Sequence, residues 1–222
     1  MIMTNSQMTT HADPASRPDT APRWLRLFGA ALMPIGPAVV AIIRLIYPPD
    51  AATALHQPQT MEAVLWLGFV ATFTLIPGAY AALTLLRRPT PRLWIWTGAF
   101  LLPGYLAMMT LGFGDTLWAA APAAGLDVDQ AESLSRAAEA AGPGSITLLI
   151  FVLGHVVGAT LLGVAALRGR LIPVASALAM IISQPLHVVA VITAAPVLDL
   201  VAWGLTATSM GFLAIRYVRA GD

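Results

Sequence analysis

The sequence predicts an all-α fold: a polytopic membrane helix bundle with six transmembrane helices and both termini cytoplasmic. Three observations carry this. Of 222 residues, 58% are hydrophobic and only 10% charged, with a mean hydropathy of +0.77. Soluble domains carry about 25% charged residues, and a soluble chain this apolar could not cover its surface with polar groups. The apolar residues also gather into six runs of bilayer length. Finally, the arginines fall almost entirely in alternate connections between those runs.

Taken in chain order, residues 1–23 are polar and without an apolar period, which reads as a disordered cytoplasmic tail. The apolar run that follows is too long for a signal-peptide core and has no small-residue cleavage site. The six expected spans are Trp24–Tyr47, Glu62–Leu86, Leu93–Leu117, Ile146–Leu167, Leu171–Ala194 and Val197–Tyr217. Each has at least the roughly 20 residues that cross a hydrocarbon core of about 30 Å. They are apolar nearly all round, as lipid-facing helices are, and too long and unalternating for barrel strands. Spans 2 and 3 share a pattern, "LIPGAYAALTLL" and "LLPGYLAMMTLG". Either an old duplication or the frequency of Pro and Gly in membrane helices accounts for it. The one long connection, about 118–145, contains "DVDQAESLSRAAEAAGPG". Asp129 with Glu132 resembles a capping box, and Gly142-Pro143-Gly144 stops the helix they open. It is a surface connector or a lid over an external site. Spans 4 and 5 are joined only by "RGR" and must form an antiparallel hairpin.

Arginine placement sets the orientation. Arg17, Arg23, Arg26, Arg87, Arg88, Arg92, Arg168, Arg170, Arg216 and Arg219 all fall on one side, which the positive-inside rule makes cytoplasmic. Only Arg44 and Arg136 fall elsewhere, and lysine is absent. That all-arginine, Ala/Leu/Gly/Pro-rich composition points to a high-GC bacterial source and hence to a bacterial plasma membrane.

Polar residues within the spans are the candidate site. His155 lies about 13 Å into span 4, and His187 about 10 Å from the same face in span 5, at 1.5 Å per residue. The hairpin therefore places the two at similar depth. Ser176, Ser183, Gln184 and His187 make a polar stripe on span 5, and Gly154 and Gly158 make a small-residue face beside His155. Asp199, Trp203 and Thr206 share one face of span 6. Arg44, Glu62 and Asp115 sit at the same level on spans 1 to 3. An outward-facing pocket lined by Arg44, Glu62, Asp115, His155, Gln184, His187 and Asp199 follows, because ionisable groups inside a membrane are functional candidates by default. The same groups also have structural uses: interhelical hydrogen bonds for Gln184 and His187, favourable helix-dipole positions for Glu62 and Asp199, and snorkelling for Arg44.

Three functions fit. The first is binding or transport of a small molecule at that outer site, with Pro-Gly breaks letting helices flex. The second is a redox protein holding haem or a metal at His155 and His187. The third is a membrane-embedded enzyme acting on a lipid or isoprenoid by His–carboxylate acid–base chemistry. The chain has no cysteine, which excludes disulfides and thiolate sites. It has no P-loop, HExxH or aspartate-rich diphosphate motif. A net charge of +1 without a basic run argues against nucleic acid as a partner. The lipid bilayer is the expected partner, and six short spans leave room for a homodimer or a partner membrane protein.

The segments "FVLGHVVGATLLGVAALR", "SQPLH" and "LDLVAWGLT" resemble an uncharacterised family of actinobacterial six-helix integral membrane proteins. The resemblance covers spans 4 to 6. It implies the same membrane fold, supplies no activity to carry over, and draws attention to His155, His187 and Asp199.

Overall fold

A computed structural model describes residues 22–220, the side chains of Leu111 and Phe113 excepted. The expected tail thus lies outside the described residues, apart from Pro22 and Arg23, which cap and open the first helix. In order the helices are α1 (Arg23–Ile46), α2 (Ala51–His56), α3 (Pro58–Leu86), α4 (Pro91–Ala120), α5 (Val128–Ala140), α6 (Gly142–Arg168), α7 (Val174–Ile192) and α8 (Pro196–Arg219). Six of them, α1, α3, α4, α6, α7 and α8, are long and apolar enough to cross a membrane. The chain is an all-α, multi-span membrane protein.

Prolines begin most of these helices. Pro58, Pro91 and Pro196 stand in the first turns of α3, α4 and α8, where a missing N–H costs nothing. Gly142-Pro143 does the same for α6, so the expected helix stop is also a helix start. The surface helix α5 is capped by Asp127 and Gln130 in a reciprocal capping box, two residues before the expected Asp129–Glu132 pair. Both pairs have the required spacing. Only Asp127 has the extended backbone an N-cap needs. The short helix α2 was not expected. Asp50 starts it by accepting the Thr53 N–H at 2.7 Å, and that bond holds its carboxyl below the usual carboxylate range.

The six long helices form a closed ring in the order α1, α3, α4, α6, α7, α8 and back to α1. Successive members are antiparallel. Gly36 of α1 meets Leu75 of α3, while Gly78 meets Leu32 and Met33. On the far side Gly104 of α4 meets Gly154 of α6, and Gly158 meets Leu101. The ring closes where Gly29, early in α1, lies against Tyr217, late in α8. One end of the bundle therefore carries both ends of the described chain with the α3–α4 and α6–α7 loops. The other end carries α2, α5 and the α7–α8 turn.

The α4–α6 contact is backbone on backbone. A Cβ added at Gly154 would fall 2.6 Å from Gly104 Cα and 2.7 Å from the Phe100 carbonyl oxygen. Lipid gives no hydrophobic drive for helices to pair, so close van der Waals approach through small residues takes its place. The next residue is His155, whose position this contact fixes. Gly154→Val is expected to lower the thermal midpoint in detergent by the equivalent of at least about 3 kcal/mol, the upper end for overpacking. Gly204→Ala, where an added Cβ meets nothing within 4 Å, should be neutral or slightly stabilising. Equal effects from the two would refute the packing account.

Candidate functional site

Two polar regions meet at one residue. The first is buried among α6, α7, α8 and the end of α1. His155, Ser183, Gln184, His187, Asp199, Trp203 and Thr206 are all buried there. The α6–α7 hairpin does bring the two histidines together: their rings meet edge to face with centroids 5.3 Å apart. Trp203 stacks on His155 at 6.2 Å and meets His187 edge-on at 5.4 Å. Phe151 also stacks on His155 at 4.2 Å.

Each imidazole is oriented through Nδ1. His187 Nδ1–H donates to Asp199 Oδ1 at 2.5 Å, and His155 Nδ1–H donates to the Phe151 carbonyl at 2.5 Å. Because a backbone carbonyl and a carboxylate accept, Nδ1 carries a proton in each ring. His155 Nε2 is buried and unpartnered, as are Gln184 Oε1 and Trp203 Nε1. One helical turn away, Gln184 Nε2 donates to Thr206 Oγ1 at 3.1 Å, Thr206 donates to Ser183 Oγ at 2.9 Å, and Ser183 donates to the Met180 carbonyl at 2.8 Å. The polar stripe of span 5 is therefore a bonded ladder between α7 and α8. Pro185, between Gln184 and His187, is exposed on the opposite side.

A haem ligated by both histidines would need its plane between them. The two rings are in edge contact instead, so these residues do not fit a bis-histidine haem. Among the described residues no group of three or more His, Cys, Asp or Glu side chains is placed to hold a metal ion.

The second region is a groove of about 620 Å³ between α1, α3 and α4. Arg44, Tyr47, Glu62, Asp115 and Thr116 line its polar end. Trp66, Phe69, Thr72, Phe73 and Met108 line the rest. Tyr47 O–H donates to Asp115 Oδ1 at 2.7 Å. Burial, then the Asp115 carboxylate, pushes the Tyr47 phenol above its ordinary value. Of the seven residues expected in one pocket, Arg44, Glu62 and Asp115 line this groove, while His155, Gln184, His187 and Asp199 lie behind it in the buried cluster. Arg44 belongs to both: it lines the groove, and its Nε lies 2.9 Å from Asp199 Oδ2. The angle there is poor for a hydrogen bond, so the contact is an ion pair.

Tyr47 and Trp66 also line the groove, and neither is among the candidates drawn from the sequence. Arg44 and Tyr47 are three residues apart, one face of a helix, and that spacing could have revealed the pairing. Phe151 was missed as well, although it stands one turn before His155.

The ion pair is lopsided, with the Arg44 side chain 33% exposed and that of Asp199 only 6%. Arg44→Met strands a buried carboxylate on its one remaining partner, His187, and should cost about 3 kcal/mol. Asp199→Asn leaves an arginine that can reach water and should cost only about 1 kcal/mol. Thermal unfolding in detergent measures both. The reverse order would show that Asp199 is not the desolvated partner.

Comparison with known proteins returns no match to this chain, whether to family models, curated proteins or solved structures.

Proposed function

We propose that this chain binds a small molecule in the groove between α1, α3 and α4, facing outward from a bacterial plasma membrane, and that it belongs to the transport or ligand-sensing class. The observation that carries this reading is the double role of Arg44, which touches the groove and the Asp199 carboxylate together. Asp199 in turn orients His187, and His187 touches His155. A ligand that draws on Arg44 must change what Asp199 feels. Occupancy of the groove is thereby coupled to ionisable groups at the bundle's interior, which is what a carrier or sensor needs. A groove volume of about 620 Å³ falls within the range of about 300–1,000 Å³ usual for small-molecule sites.

The outward direction rests on the arginines, nine of which, among the described residues, flank the opposite end of the bundle. A chain without cysteine is ready for a direct test by single introduced thiols. Thr116→Cys, in the groove wall, should react in intact cells with a membrane-impermeant maleimide. Pro89→Cys, in the α3–α4 loop, should react only after the cells are permeabilised. The opposite pattern would turn the protein over and end the outward reading. In the Thr116→Cys protein, Arg44→Met should change the rate of labelling severalfold if the groove responds to that side chain.

A further inference from the structure

We propose that the occupant of this groove is a lipophilic organic cation that enters from the surrounding lipid, with its positive centre toward Glu62 and Asp115. The inference rests on the groove's being the binding site and adds the chemical class of its ligand.

Charge comes first. The groove presents one cation, Arg44, and two carboxylates, Glu62 and Asp115. Arg44 is already matched by Asp199 at 2.9 Å. Asp115 is held by a neutral donor, the Tyr47 hydroxyl, and among the described residues no ion pair reaches Glu62. The polar end therefore has two carboxyl groups that no ion pair engages among the described residues, Arg44 acting on Asp115 only at longer range, set where the dielectric is falling toward that of lipid. Attraction for a cation grows there as screening by water is lost.

The wall below those carboxylates is aromatic. Trp66, Phe69 and Phe73 follow one another along α3, with ring centroids 6.2 Å apart for the first pair and 4.4 Å for the second. They are 66%, 54% and 59% exposed, so the groove opens sideways through them toward lipid rather than only toward water. Ring faces attract cations by about 0.5–2 kcal/mol, and more strongly when water is excluded. They also take the apolar body of a ligand. The carboxylates at the water-facing end and the rings beneath them match a molecule with a charged centre inside a hydrophobic shell. An anion would meet Glu62 and Asp115 unfavourably and find Arg44 engaged.

Tetraphenylphosphonium and tetraphenylborate provide the test, because they share size and shape and differ in the sign of charge. Each is dialysed to equilibrium against the full chain in lipid nanodiscs, with empty nanodiscs subtracted for partition into lipid. The expected result is saturable binding of the phosphonium, one per chain, with none of the borate. Glu62→Gln and Asp115→Asn together should weaken binding by at least about tenfold, equivalent to about 1.4 kcal/mol. Gly68→Leu should abolish it, since Gly68 lines the groove and a Cβ there meets nothing within 4 Å. Each variant is first checked for an unchanged thermal midpoint. Glu62 is exposed, so Glu62→Gln alone keeps the charge test usable if the double variant folds poorly. Saturable binding of the borate, or phosphonium binding indifferent to both carboxylates, would overturn the proposal. If neither ion binds while Thr116→Cys still reacts from outside, the ligand class is wrong and the outward groove stands. If Thr116→Cys is unreactive from outside, the outward reading itself fails.

Discussion

A single carboxylate buried in an apolar ring sets the terms for the rest of the site. Asp199 has one oxygen on His187 and the other beside Arg44. A charge in this setting costs several kcal/mol unless it is paired and hydrogen-bonded. It ties the end of α1 to the start of α8 at the end of the bundle away from the Gly29–Tyr217 contact. It also orients the His187 ring, whose edge meets His155. Arg44 cannot relax fully into the groove while Asp199 needs it.

Much of this was legible in the chain. Six spans followed from run length, because lipid demands helices of a set minimum length. The similar depth of His155 and His187 followed from counting across a hairpin with no slack in its loop, and their ring contact is what the structure adds. Ser183, Gln184 and Thr206 were on the expected faces. The division of the expected pocket into a buried cluster and a groove was not legible. Residue counting gives height along a helix axis, and several groups at one height were merged into one site. Angular position around the ring depends on which helices neighbour which, and α1 closes onto α8 across the whole length of the chain. Nor did the sequence reveal α2 or the true cap of α5, where Asp127–Gln130 and Asp129–Glu132 have the same spacing and backbone conformation decided between them.

The buried cluster and the groove differ in kind. Within the cluster the side chains are bonded to one another or to the backbone, and the atoms left over, His155 Nε2, Gln184 Oε1 and Trp203 Nε1, are buried. In the groove, carboxylates stand over an aromatic wall with open volume between them. One is closed and internally bonded, and the other is open. Arg44 is the residue through which either could act on the other.

The glycine contacts have a mechanical consequence. Gly78 of α3 is pressed against Leu32 and Met33, and Gly104 of α4 is pressed against Gly154. Each glycine directly follows a proline, Pro77 or Pro103, which removes a backbone hydrogen bond at that level. The groove-lining parts of both helices, residues 62–73 and 108–116, lie on the same side of these points, toward the end that carries α2 and α5. On that stretch Gly68 and Gly112 press against nothing. α3 and α4 are thus two levers, each gripped at a fulcrum where its own backbone is weakest. Spreading their free arms would widen the groove while leaving His155, seated beside one of the fulcra, where it is.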